Sequence, residues 1–131
     1  MKTTILILLL LSNSLVSMAQ QRGYATYYAQ KFNGTKTASG QRLDNNAFVC
    51  AHKTHPFGTK LQVKNLSTGK TVVVTVIDRG PFVKGYIIDL SQRAAHDLGI
   101  IKHGRAKVEV SPIGKKHKNN NKKKKSNDYS L

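Results

Sequence analysis

The sequence predicts a mainly β domain closed into a small barrel, and three observations carry that expectation. Runs of β-branched and aromatic residues recur between clusters of Gly, Pro and Asn. Only one stretch carries helix signals at both of its ends. The span between residues 20 and 114 is near the lower limit for a self-supporting core, and a closed barrel removes the edges that a small open sheet would leave unpaired.

The elements follow in order. Residues 1–19 read as a signal peptide: Lys2, the apolar run Ile5–Leu11, then Ser17 and Ala19 three and one positions before a cut at Ala19/Gln20. That run falls short of the roughly 20 apolar residues a membrane crossing needs. No Cys follows it that could be lipidated, so the mature chain is expected to be exported, periplasmic or secreted, and not lipid-anchored. Gly23–Ala29 alternates and reads as a strand. Asn33–Asn46 is polar with two glycines and reads as a loop. Lys60–Asn65 and Lys70–Ile77 form a hairpin across Leu66–Gly69, the second arm being the most apolar run of the mature chain and a core candidate. Asp78–Pro81 ends it. Tyr86–Leu90 is a further short strand. Ser91 is an N-cap for a helix to about Leu98, with Gly99 as its stop and Ala94, Ala95 and Leu98 on one face. Ala106–Val110 closes the domain.

Charge is distributed unevenly. The 131 residues hold 22 Lys plus Arg against 6 Asp plus Glu, a formal +16, with one Cys and no Trp. A single Cys excludes a disulfide-stapled fold within the chain, and the length excludes a multi-domain enzyme or a polytopic membrane protein. Residues 115–128 alone carry seven Lys and one Asp, while 20–114 carry fourteen basic and five acidic side chains. The Lys/Asn-rich segment 115–131 has too little apolar surface to offset ordering entropy and is expected to be disordered. Export argues against nucleic acid as its partner. Anionic wall polymers or lipid headgroups fit it by simple charge attraction, and so does a solubilising role with no partner.

Two carboxylates stand out, since Asp78 and Asp89 both sit at strand ends beside turn residues. A partly desolvated carboxyl has a raised pKa, a neighbouring carboxylate raises it further, and general-acid work on a glycosidic oxygen needs that. Each also has a structural reading, Asp78 as a turn former or partner of Arg79, Asp89 as a group near a helix start. On a strand, Cys50 and His52 would share one face, but nothing local would depress the thiol pKa, and Cys50 reads as a small buried residue. His52 and His55, three apart, fall on opposite faces of a strand, so no metal site is expected. Tyr24, Tyr27, Tyr28, Phe57 and Phe82 are candidates for stacking on sugar rings or for packing.

Taken in order, Gly23–Tyr28, Thr37–Gly40, Ala51–Lys53, Pro56–Thr59, Val63–Asn65, Asp78–Phe82 and Ile87–Ser91 with Ala94–Ala95 and Leu98–Gly99 resemble the RlpA-like (rare lipoprotein A) septal-ring lytic transglycosylases over residues 22–112. The resemblance implies a six-stranded double-psi β-barrel with one or two short helices, acting as a monomer without cofactor or metal. It implies a lyase that cleaves the β-1,4 link between N-acetylmuramic acid and N-acetylglucosamine in peptidoglycan. Strands stripped of stem peptides are the preferred substrate, and 1,6-anhydro ends the product. The family's functional positions fall on His52 and Asp78. The related expansins and MltA-type enzymes place their key Asp, in an Asp–Leu–Ser context, at Asp89. The expected roles are Asp89 as acid/base, Asp78 beside it tuning its pKa, and His52 and Thr26 contacting substrate or positioning the acid. Tyr28, Phe57 and Arg79 would line the groove. Where the family commonly carries a Glu after Thr–Ala–Ser–Gly, this chain has Gln41, with Asp44 three residues on. An amide cannot exchange a proton as a carboxyl does, so a non-catalytic, expansin-like glycan-binding or wall-loosening module is the alternative.

Overall fold

The computed structural model describes residues 20–114; the leader read over 1–19 and the basic tail over 115–131 lie outside the described residues. Six strands, β1 (Gln21–Tyr27), β2 (Val49–Ala51), β3 (Lys60–Asn65), β4 (Thr71–Asp78), β5 (Tyr86–Leu90) and β6 (Ala106–Pro112), are joined by one α-helix, α1 (Gln92–Leu98), and a 3-10 turn at Gln30–Phe32. The strands close a barrel in the order β1-β5-β2-β4-β3-β6. Two neighbouring pairs, β1 with β5 and β2 with β4, run parallel, and the other four run antiparallel.

Period-two burial explains the strands. Leu61 and Val63 of β3, Val72, Val74 and Val76 of β4, and Val108 and Val110 of β6 point inward, alternating with exposed neighbours as a pleat requires. The apolar run on β4 is therefore not buried throughout: Val73 is 44% exposed. Ile77 breaks the alternation. It is buried against Leu43 and Val49 in a second, smaller cluster that the loop before β2 lays over the outside of the barrel.

The helix ends where the sequence places its caps. Ser91 Oγ accepts from the Ala94 N–H at 3.3 Å and donates to the Ala47 carbonyl at 2.5 Å. Gly99 turns left-handed at φ 77°, a conformation that favours glycine. Ala94, Ala95 and Leu98 are buried in the main core. Asn65, at the end of β3, is also buried and donates to the Leu98 carbonyl at 3.1 Å, supplying a partner for one of the open groups at the helix end.

Strand β2 has only three residues, yet it fixes the geometry of the site. Ala51 pairs with Asp89 on one side and with Asp78 on the other. The two acids thus stand two strands apart, roughly 10 Å between backbones, with buried Ala51 between them.

Candidate active site

An open cleft of about 480 Å³ lies over this end of the barrel. Strand β1 and its exit supply Thr26, Tyr27, Tyr28 and Ala29, the following loop supplies Phe32 and Thr35, and the floor carries Asp78 and Asp89. Asp78, Asp89, Thr26 and Tyr28 are thereby brought together.

Asp78 is an acceptor at both oxygens. Its Oδ1 takes the backbone N–H groups of Ala38 and Arg79, each at 2.9 Å, and its Oδ2 takes the Tyr28 hydroxyl at 2.5 Å. The Thr37–Gly40 turn reaches this carboxylate because the Ser39 N–H docks on the Ile77 carbonyl at 3.1 Å. Burial, then the bond to Asp78, raise the Tyr28 phenol above its ordinary value, so it stays protonated and keeps donating.

Asp89 is held differently. Its Oδ1 is buried and, among the described residues, has no hydrogen-bond partner. Desolvation, and secondly the charge of Asp78, push its carboxyl up to about 6. The two carboxyls of the cleft are thus held differently, Asp78 pinned by three donors and Asp89 poised to carry a proton near neutrality. Gly80, buried at φ 126°, passes just behind Asp89. A Cβ there would stand 3.9 Å from Asp89 Oδ2 and 3.6 Å from the Phe82 ring. Phe82 is 82% exposed and so stands at the rim beside the acid.

The structure sets His52 apart from the cleft. Its ring is 2% exposed, with Nε2 2.9 Å from Gln21 Oε1 and Nδ1 accepting the Thr54 and His55 N–H groups at 3.1 Å each. That pattern assigns the proton to Nε2. Burial, then the charges of His55, Arg79 and Lys53, lower its pKa to about 4, so it is a neutral organiser of the turn after β2. Arg79 clamps the same turn from outside, donating to the His52 and His55 carbonyls at 3.1 and 2.8 Å, and stacks 4.0 Å over the half-exposed Phe57 ring. Gln41 and Asp44 are exposed on the Lys36–Asn46 loop, where the Asp44 carboxylate accepts the Asn46 N–H at 2.9 Å in a local turn. Cys50 is buried, and desolvation followed by the Asp89 charge push its thiol up to about 12, which leaves it unreactive. Phe32 and Thr35 line the cleft without belonging to any motif. An aromatic residue at the edge of an otherwise polar loop was the signal for Phe32.

His52 and Asp89 bend acid stability in opposite senses. The folded chain keeps His52 neutral down to about pH 4, while the unfolded chain protonates it below 6.5. Its contribution is complete above 6.5 and is lost as pH falls toward 4. Asp89 takes its proton near pH 6 when folded but only near 3.8 when unfolded, so stability is gained as pH falls over much the same window. Denaturant midpoints of Asp89→Asn are therefore expected to fall more steeply than those of the wild type between pH 6.5 and 4. Equal slopes would contradict a raised Asp89 pKa.

A closed six-stranded barrel with two parallel crossings and a carboxylate pair in an open cleft defines a double-psi β-barrel protein. Residues 20–110 match the family described as Lytic transglycolase, and the chain belongs to that family. It is 53% identical over 83 residues to the "Probable endolytic peptidoglycan transglycosylase RlpA" of Aquifex aeolicus (strain VF5), covering 63% of this chain and 37% of that protein. It is 50% identical over 91 residues to the "Endolytic peptidoglycan transglycosylase RlpA" of Pasteurella multocida (strain Pm70), covering 70% and 31%. The chain thus spans less than two-fifths of the length of these curated relatives. Among solved structures, the apo expansin of Clavibacter michiganensis superposes with a TM-score of 0.59 at 23% identity, over 73% of this chain and 51% of that one, a likeness of fold.

Proposed function

We propose that this protein is an endolytic peptidoglycan transglycosylase acting between N-acetylmuramic acid and N-acetylglucosamine, on strands lacking stem peptides, to leave 1,6-anhydro ends. The observation that carries the proposal is the Asp89 carboxyl, raised to about 6, with one buried oxygen unpaired among the described residues, opening into a cleft beside Asp78. The relatives' names support peptidoglycan as the substrate.

Asp89 begins protonated and gives its proton to the glycosidic oxygen as the C1–O4 bond breaks. Positive charge then develops on the muramoyl ring, and the Asp78 carboxylate, held by Tyr28, Ala38 and Arg79, stabilises it. The muramoyl 6-hydroxyl attacks its own C1, and Asp89 takes back the proton that O6 releases. One bond breaks, one forms, one proton moves from O6 to O4, and no water is consumed. A single carboxyl with a pKa near the working pH serves both transfers. Thr26, Tyr28, Phe57 and Arg79 would hold the glycan along the groove. The residues read as leader and tail fit an exported protein, the tail retaining it on anionic wall polymers.

Gln41 favours a second reading, a non-catalytic wall-loosening module. Incubation of the purified protein with peptide-free glycan strands, followed by mass spectrometry, separates the two. Anhydro-ended fragments are expected at neutral and mildly acidic pH. Their absence in the wild type, with their appearance in Gln41→Glu, would establish the second reading instead.

A further inference from the structure

The outward row of β1 continues past the cleft. From Thr26 it runs to Tyr24, two residues and roughly 7 Å along the strand. Where Thr26 pairs with Asp89, Tyr24 pairs with Tyr86. The two tyrosine rings lie 5.6 Å apart. Arg105, the residue before β6, lays its guanidinium 4.5 Å over the Tyr24 ring and donates from Nη1 to the Tyr86 hydroxyl at 3.2 Å. Lys107 Nζ stands 5.8 Å from the same ring.

The loop that carries Arg105 is tied to the cleft wall. The Thr26 hydroxyl donates to the Gly104 carbonyl at 3.1 Å, and the Tyr27 hydroxyl to the Ile101 carbonyl at 2.9 Å. A cation is therefore fixed by two rings, one pleat along β1 from Thr26 and three residues along β5 from Asp89, across a register shift between Tyr24 and Ala25. Among the described residues no carboxylate lies within ion-pair distance of Arg105. Glu109, further along β6, pairs with Arg22 at 3.1 Å. A guanidinium stacked on one ring and bonded at one nitrogen keeps other N–H donors free, in the fork that matches a carboxylate.

We propose that Tyr24, Tyr86 and Arg105 form a carboxylate-reading subsite that takes the lactyl carboxylate of a muramic acid residue further along the strand from the bond under attack. This rests on the reading of the cleft as a glycan site. In peptidoglycan the lactyl carboxyl is an amide while the stem peptide is attached, and becomes a free anion once the peptide is removed. At the lactyl position Arg105 then meets a carboxylate only on a peptide-free strand, and the aromatic pair offers the adjoining sugar a face. Discrimination against peptide-bearing strands follows from charge at this subsite as well as from the bulk of the peptide.

Binding tests this without turnover. Peptide-free muramoyl oligosaccharides are compared with the same oligosaccharides after conversion of their carboxyls to methylamides, by calorimetry on Asp89→Asn protein in about 0.15 M salt. The free acid is expected to bind about fivefold tighter, the size of an exposed charge-assisted contact. Adding Arg105→Gln should reduce that ratio to near one, with the thermal midpoint unchanged because Arg105 is exposed. Equal binding of acid and amide, or a ratio that survives Arg105→Gln, would overturn the subsite while leaving the glycan cleft standing. Failure to bind either oligosaccharide would remove the glycan reading itself, and the subsite with it.

Discussion

Replacing Asp89 with Asn is expected to lower turnover by about 100- to 10,000-fold, the range that loss of a positioned acid–base group costs. The amide has nearly the same shape, but it cannot deliver a proton to the leaving oxygen or recover one from the 6-hydroxyl. Stability should move the other way. At pH 7–8 the wild-type group is ionised in a partly desolvated site with one oxygen unpaired among the described residues, and a neutral amide relieves that cost. A gain of about 1–2 kcal/mol in urea unfolding is expected after discounting for solvent screening. Activity lost together with stability gained is the signature of a strained functional group. A merely structural Asp89 would lose stability on substitution, and full activity in the variant would remove it from the acid role. In the wild type the acid must start protonated, so the rate is also expected to fall as pH rises through about 6.

Much of the fold was legible because its signals are local. The β-rich run of Thr71–Ile77, the Ser91 cap and the Gly99 stop each depend on a few neighbouring residues, and the structure keeps all of them as elements, although Val73 turns outward. Strand β2 was not picked out as a strand, for a physical reason. Three residues are too few to show a period, and both of its partners are distant in sequence. The same strand makes Asp78 and Asp89 neighbours across Ala51, so the acids were legible one at a time as charges at strand ends, while their partnership was expected only from the family resemblance. His52 shows the reverse difficulty. A histidine between Ala51 and Lys53 looks the same whether it faces substrate or is enclosed, and only the N–H groups of Thr54 and His55 converging on its Nδ1 decide. The Tyr24–Tyr86–Arg105 cluster was equally hidden, since β1, β5 and the approach to β6 meet only when the barrel closes.

Asp78→Asn separates charge from scaffolding at the second acid. Asn can keep its carbonyl oxygen on the Ala38 and Arg79 N–H groups, while its amide nitrogen faces the Tyr28 hydroxyl, which can rotate to accept. The turn at Thr37–Gly40 therefore stays docked, and denaturant stability is expected to change by less than about 1 kcal/mol. Turnover should nonetheless fall by about 100- to 1,000-fold, because the negative charge facing the developing oxocarbenium is gone. The pH profile adds an independent sign. Asp78 is the second cause of the raised Asp89 pKa, after desolvation. Removing its charge lets that pKa drop below about 6 while burial holds it above the ordinary 3.8, so the residual activity should be lost at lower pH than in the wild type. Asp78→Ala, which also strips both N–H groups of their acceptor, should cost a further ~1–3 kcal/mol of stability. If Asp78 only anchored the turn, Asn would retain both the rate and the pH limb, and only Ala would be impaired. A fall in rate with the pH limb shifted and the stability intact instead assigns Asp78 the electrostatic half of a two-carboxylate mechanism, with Asp89 carrying the proton.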